Sequence, residues 1–256
     1  AKTILRHKGV LPRVTDAISN LMTLIFDAAA AGNEEVVEQL VMDVVDAFWI
    51  VPNKRAERRW FVAKVGRMFA IWLRTTQGSR DAGLTWATIV SLMGRCLVSM
   101  FPAESSECRG STSVMMQIYV DDPWAAARGK QPEVHTKFAM MAVLWLCMGF
   151  PMAFHKALVG RQVTWTGIVI TVEADGVSAE IAAEKIDEMK VLTKDLLSGN
   201  IIAKKKLRTY VGKAESMASL LFALRPFVQP LWSALYAEVQ APPNCVWTKM
   251  IKPPLT

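Results

Sequence analysis

The chain is most constrained by the stretch VMMQIYVDDPW, residues 114 to 124. Val114, Met116, Ile118 and Val120 alternate with Met115, Gln117 and Tyr119, a period of two that specifies a half-buried strand. Asp121 and Asp122 fall where that strand must turn. Adjacent carboxylates repel unless water or a cation neutralises them. Two readings stand side by side. One is an acidic turn in solvent, since Asp-Pro pairs commonly start turns. The other is a divalent metal site, which needs a third carboxylate from elsewhere. A candidate lies in LVMDVVDAFWIVP, residues 40 to 52, an apolar run read as a second strand and closed by Pro52. An unpaired carboxylate in a buried strand is heavily penalised by desolvation, so Asp43 is the candidate third acid.

At 256 residues the chain can bury a full core, and at 52% hydrophobic, with 14 Met and 9 Trp, it is not a disordered or low-complexity protein. Thirty Lys and Arg against 23 Asp and Glu give a formal charge of +7, which suits a polyanionic partner. The positive charge gathers in RHKGVLPR (6 to 13), NKRAERRW (53 to 60) and KKKLR (204 to 208), each of which also serves as an ordinary solvated face. Cys96, Cys108, Cys147 and Cys245 have no metal-binding spacing and three His are too few to complete one, so no zinc site is expected. Scattered cysteines without a signal peptide fit an intracellular protein of the cytoplasm or nucleus, not a secreted one. The uncharged run 138 to 154 falls short of a bilayer span and is broken by Gly149 and Pro151. It reads as a buried helix of about 11 residues followed by a strand, with no membrane involved.

Along the rest of the chain, a first helix is expected over 16 to 31, with Ile18, Leu21, Met22 and Ile25 on one face. A strand is expected over 60 to 74, a mostly buried helix over 84 to 100, and a strand over 162 to 172. Residues 178 to 240 read as three helices. The first is capped by Ser178 and stopped by Gly199, the second runs 204 to 224, and the third 226 to 239. In the second, Leu207, Val211, Ala214, Ala218 and Leu221 form an apolar stripe away from the lysines. The tail, 242 to 256, is expected to be loose.

An Asp on a strand, a Gln-Gly turn before a helix, and an aromatic-x-Asp-Asp hairpin, in that order, resemble the reverse transcriptases of retroelements. The resemblance covers residues 40 to 240. MDVVDAF (42 to 48) is similar to the first palm motif, TQGSRDAG (76 to 83) to the second and YVDD (119 to 122) to the third. Phe154-His155-Lys156 resembles the fourth, and WTGIVI (165 to 170) the primer-grip strand. Gly83 stands where many members have Pro. The resemblance implies an α+β fold: a polymerase palm with a small antiparallel sheet packed on helices, followed by an all-helical thumb. The divisions it implies are a partial fingers segment (1 to 39), a palm (40 to 176) with a fingers insertion around 53 to 80, a thumb (177 to 241) and the tail. Only 42 residues precede Asp43, so the fingers are expected to be incomplete, with Arg6, Lys8 and Arg13 as the basic candidates there.

The activity so implied is RNA-directed DNA polymerisation by a mobile-element enzyme with two Mg²⁺ ions, Mn²⁺ being an alternative. Asp43, Asp121, Asp122 and the Val44 carbonyl are the implied metal ligands. Phe48 would screen the sugar in favour of deoxynucleoside triphosphates, with Gln77, Gly78, Tyr119, Val120 and Lys156 around the nucleotide. Trp165, Gly167, Lys204, Lys205, Lys206 and Arg208 would hold a primer on an RNA or DNA template. Asp46 is read as a brace, not a ligand. An RNA-copying RNA polymerase would carry Gly before the acids and a small polar residue at the sugar screen, unlike Tyr119-Val120 and Phe48. The alternative is a catalytically decayed fragment that binds nucleic acid. No ribonuclease H or integrase pattern is legible in the chain.

Overall fold

The computed structural model describes residues 12–31, 34–79, 82–101, 112–237 and 241–251. Arg6, Lys8, Arg80 and Asp81 lie outside them. Helix α1 (Val14–Ala30) buries Val14, Ala17, Leu21, Leu24 and Ala28. That stripe, at 3, 4, 3 and 4 spacing, is turned from the expected face, and Ile18, Met22 and Ile25 are only half-buried. Strand β1 (Val36–Val41) starts four residues before the run read as a strand and ends before Asp43. A single turn, α2 (Ala47–Ile50), replaces the rest of that run.

The expected strand over 60 to 74 is a hairpin, β2 (Val62–Val65) and β3 (Met68–Ile71), which turns at Gly66 with φ +61°. Its base is fixed by buried Asn53, which donates to the carbonyls of Arg74 (2.8 Å) and Trp72 (3.3 Å) and accepts from the Thr75 hydroxyl. Helix α3 (Ala82–Ser99) is long and apolar enough to cross a membrane by length and composition. Here Trp86, Val90, Met93 and Leu97 face the core, while Leu84 and Leu92 are exposed. The helix is therefore buried along one stripe, not on most sides.

Strands β4 (Val114–Tyr119) and β5 (Asp122–Gly129) form the hairpin that the alternation specified. Helix α4 (Gln131–Cys147) starts well before the uncharged run, with Pro132 and Glu133 in its first turn, where the Glu133 carboxylate accepts the Lys130 backbone N–H. Val134, Phe138, Met141 and Trp145 form its buried stripe. The first sheet is antiparallel with strand order β4-β5-β1-β6, where β6 spans Leu158–Gly160. One face of it packs on α3 and α4 through Leu40, Val114, Ala125, Ala127 and the helices' buried stripes.

Gln39, fully buried in β1, donates to the carbonyls of Arg161 (3.0 Å) and Ile170 (3.1 Å) and accepts the Trp124 indole N–H (3.0 Å). A buried amide is tolerated because its bonding groups are matched. The expected strand over 162 to 172 is a hairpin, β7 (Gln162–Trp165) and β8 (Ile168–Val172). Thr166 and Gly167, with φ of +50° and +77°, make the two-residue turn that right-twisted strands favour. Strand β9 (Val177–Ile181) completes a three-stranded sheet, and it includes Ser178, which therefore caps no helix.

The chain divides into two compact units. Among the described residues the first is built from residues 12, 16–166 and 170–178, and the second from 13–15, 167–169 and 179 onward. The second holds α5 (Ala183–Leu197), β10 (Ile201–Ala203), α6 (Lys204–Ala218), α7 (Arg225–Tyr236) and β11 (Cys245–Trp247). Helix α6 stops at Ala218, leaving Leu221 exposed, while Leu207, Val211 and Ala218 of the expected stripe are buried. The described part of the tail, 242 to 251, departs from the expectation of a loose end, and residues 252 to 256 lie outside the described residues. Strand β11 pairs with β10 and buries Val246, and Ile251 is fully buried, because α6 and α7 leave an apolar side that these residues cover. The second unit is thus helical with one small sheet.

Gln39→Leu is expected to strand the Trp124 indole and two carbonyls and cost about 2–4 kcal/mol. The check is the urea midpoint, at unchanged slope, and a loss below about 0.5 kcal/mol would contradict the role given to this amide.

Candidate functional site

Past the end of β1 its ladder with β5 continues for two rungs. Met42 N–H donates to the Pro123 carbonyl and Val44 N–H to that of Asp121, both at 3.1 Å. On the other side Val45 N–H donates to Pro151 (2.8 Å) and Ala153 N–H to the Asp43 carbonyl (2.9 Å). The backbone around Asp43 is therefore held extended between the hairpin and residues 151–153. Met42 and Val44 point into the core, so the period of two directs Asp43 away from it. That is how an acid is accommodated in an apolar run.

Because Tyr119 pairs with Asp122, Val120 and Asp121 form a two-residue turn. Val120 has φ +57°, a conformation that a β-branched residue adopts only under strain of about 1–3 kcal/mol. Two buried tryptophans hold the turn there. The Trp86 indole donates to the Val120 carbonyl at 2.5 Å, and the Trp165 indole donates to the Asp122 carbonyl at 3.0 Å. Trp165 also packs against Trp124 at 5.8 Å between ring centroids.

Asp43 and Asp121 line one open cleft of about 340 Å³, together with Asp46, Phe48, Trp49, Gln77, His155 and Lys156. Lys156 forms an ion pair with the Asp43 carboxylate, and that bond and charge raise its pKa. Asp122 is half-buried, and its carboxyl is pushed from 3.8 up to about 6, first by burial and then by Asp121 and Asp43, with Lys156 opposing. The three carboxylates are thus near enough to repel. Among the described residues, however, no three His, Cys, Asp or Glu side chains stand as a ready-made metal cage. The donor chemistry still fits a hard divalent ion. The donors are carboxylate oxygens in a place where negative charge is in excess, and an ammonium presently offsets that excess at Asp43.

Of the residues singled out in the sequence, Asp43, Val44, Phe48, Gln77, Asp121 and Lys156 line the cleft. Phe48 is half-buried with its ring 6.1 Å from that of Trp86, so it belongs partly to the core and partly to the cleft wall. Gly78 follows Gln77 in the turn at φ +86°, and Tyr119 is exposed at the end of β4. Trp165 is corrected: its side chain is fully buried and bonds the turn's backbone, so its ring has no open face for a primer. Gly167 lies in the tip of the β7–β8 turn. Lys204, Lys205, Lys206 and Arg208 occupy the first turns of α6, where Lys206 pairs with Asp195 of α5. The sequence reading missed Trp86 and the wall residues Trp49 and His155. Only His155 had a signal, its place beside Lys156. Asp46 lines the cleft in a left-handed conformation (φ 51°) at the start of α2.

No protein-family profile and no curated protein matches the chain. Among solved structures it is similar to foamy viral protease-reverse transcriptase in complex with an RNA/DNA hybrid, at 17% identity and a TM-score of 0.54 over 85% of this chain. It is similar to the same degree to a dRH form in complex with double-stranded DNA. It covers 26% and 34% of those chains, so it spans about a quarter to a third of their length. The chain has a reverse-transcriptase-like fold, in the α+β class with small antiparallel sheets.

Between pH 3.8 and about 6 the unfolded chain carries an ionised Asp122 while the folded chain keeps it protonated. Stability from this group is therefore complete below that window and is lost as pH rises through it. Asp122→Asn should raise the melting temperature relative to the parent at pH 7.5, with the difference shrinking toward pH 4. Equal differences at both pH values would contradict the repulsion described.

Proposed function

We propose that this chain is an RNA-directed DNA polymerase of mobile-element origin, which adds deoxynucleotides to a primer in the cleft beside the β4–β5 turn. The observation that carries the reading is that Asp43 and Asp121, 78 residues apart in sequence, line one cleft with Phe48, Gln77 and Lys156. The reverse-transcriptase-like fold supports it. Asp43, Asp121, Asp122 and the Val44 carbonyl would hold Mg²⁺ or Mn²⁺. Bound there, such ions lower the pKa of a primer 3′ hydroxyl and neutralise the leaving pyrophosphate. The chain's own residues position the reactants. Lys156, released from Asp43, pairs with the triphosphate, and the Phe48 ring lies under the sugar and excludes a 2′ hydroxyl. Gln77 and Gly78 approach template and incoming base, while the strained turn fixes Asp121 where the primer end arrives. Lys204, Lys205 and Arg208 contact phosphates without sequence preference.

One observation favours a second reading. The Lys156–Asp43 pair, which engages an acid of the cleft with an ammonium, suits a nucleic-acid-binding module that has lost catalysis. Primer extension on an RNA template with Mg²⁺ separates the two. Extension that is abolished by Asp121→Asn supports the polymerase, and no extension with retained template binding supports the module.

Phe48→Val should improve ribonucleotide use relative to deoxynucleotide use by at least about a hundredfold, because it removes a steric exclusion. The readout is the ratio of incorporation efficiencies beside the melting temperatures. A destabilised variant with unchanged sugar selectivity would leave Phe48 a core residue only.

A further inference from the structure

Trp86 is the side chain at which α3, the β4–β5 turn and the Phe48 wall of the cleft meet. It lies in the first half of α3, is 1% exposed, and commits its one polar atom to the Val120 carbonyl at 2.5 Å. Its ring meets that of Phe150 edge-on, with centroids 6.0 Å apart, and that of Phe48 at a tilt, with centroids 6.1 Å apart. Val120 depends on the indole bond because its own backbone disfavours the turn. At φ +57° a β-branched residue is strained, and it returns to negative φ when nothing holds it. Phenylalanine or leucine at position 86 would fill part of the same volume but would have no N–H to donate. Asp121 follows Val120 in the two-residue turn, so the backbone angles at Val120 set where the Asp121 carboxylate projects. Phe48 and Asp121 both line the cleft, and the buried Trp86 touches the support of each.

We propose that Trp86 is a positioning residue that couples the aromatic wall of the cleft to its acids. The Phe48 ring fixes the plane of the indole, the indole N–H holds Val120 left-handed, and Val120 aims Asp121. The turn is thus a two-state element, left-handed while held and relaxed when released, and Phe48 biases it from a distance through one buried side chain. Trp165 does not replace this support, because its indole takes the carbonyl of Asp122, on the other side of Asp121. The consequence for metal binding rests on the proposed function, whereas the coupling itself is a property of the turn.

The test uses two readouts on the full chain. Backbone carbon chemical shifts of residues 119 to 122 report by NMR whether Val120 is left-handed, with no metal needed, and Mn²⁺ affinity without nucleotide reports where the acids stand. Trp86→Phe keeps an aromatic ring and loses the N–H. It should return Val120 to negative φ and weaken Mn²⁺ binding at least about tenfold. Adding Val120→Gly should recover most of that loss, because glycine takes the left-handed conformation without being held, whereas a loss caused by the smaller core side chain would not be recovered. Phe48→Val should move the turn's shifts in the same direction and weaken Mn²⁺ binding about threefold, and it should add nothing further in the Trp86→Phe background. Val120 still left-handed in Trp86→Phe would overturn the proposal. So would turn shifts that ignore Phe48→Val, the absence of recovery with Val120→Gly, or losses from Phe48→Val and Trp86→Phe that multiply. A parent that binds no Mn²⁺ would remove the polymerase reading, and the NMR shifts of the two variants would still decide the coupling.

Discussion

The first unit depends on two backbone hydrogen bonds that prolong the β1–β5 ladder beyond the end of β1, from Met42 to Pro123 and from Val44 to Asp121. They fix the register between a segment that ends a strand and a turn that joins two others. Once that register is set, the pleat does the rest: Met42 and Val44 enter the core beneath α3 and α4, and Asp43 emerges on the side where Asp121 emerges. A slip of one residue would exchange the two faces, burying an acid and exposing a core methionine. The cleft and the core therefore share one constraint.

Against that constraint the turn is held in an unfavourable state. Burial, reinforced by the nearby carboxylates of Asp121 and Asp43, pushes the Asp122 carboxyl up to about 6, and Val120 occupies a left-handed conformation that Gly or Asn would adopt more easily. What opposes these costs is packing from beneath: the indoles of Trp86 and Trp165 each take a carbonyl of the turn, and Gln39 ties Trp124, the neighbour of Trp165, to two further carbonyls. Strain and repulsion concentrated at one rigidly supported turn are characteristic of places where a fold does chemistry.

Much of this was legible in the sequence where the pattern is local. The alternation at 114 to 119 gave β4, and the Asp-Asp step gave the turn; Leu207, Val211 and Ala218 gave the buried side of α6. Asp43 was identifiable because an acid in an apolar run requires a reason. Other features depend on contacts between distant segments, and no local pattern carries them. The run 60 to 74 and the run 162 to 172 look like single strands because both arms of each hairpin are apolar, and only Gly66 and the Thr166-Gly167 pair mark the reversals. Helix α4 has Met140, Val143 and Leu146 exposed, so its outward face erased the periodicity that would have marked its buried one. Trp165 is expected at the primer because WTGIVI resembles a primer-grip strand, whereas its indole donates to the Asp122 carbonyl. The tail looked loose because β11 has meaning only beside β10.

The central claim is that Asp43 and Asp121 are gathered to share a divalent cation and that Lys156 stands in for it at Asp43. Its most direct test is Mn²⁺ binding followed by electron paramagnetic resonance in the presence and absence of a deoxynucleoside triphosphate, on the parent chain and on Asp43→Asn and Asp121→Asn. The account predicts that the parent binds Mn²⁺, more tightly with nucleotide, and that either substitution alone weakens binding at least about tenfold, because both acids serve the same ion. Mn²⁺ binding that is absent from the parent with nucleotide, or is unchanged by Asp121→Asn, would contradict it.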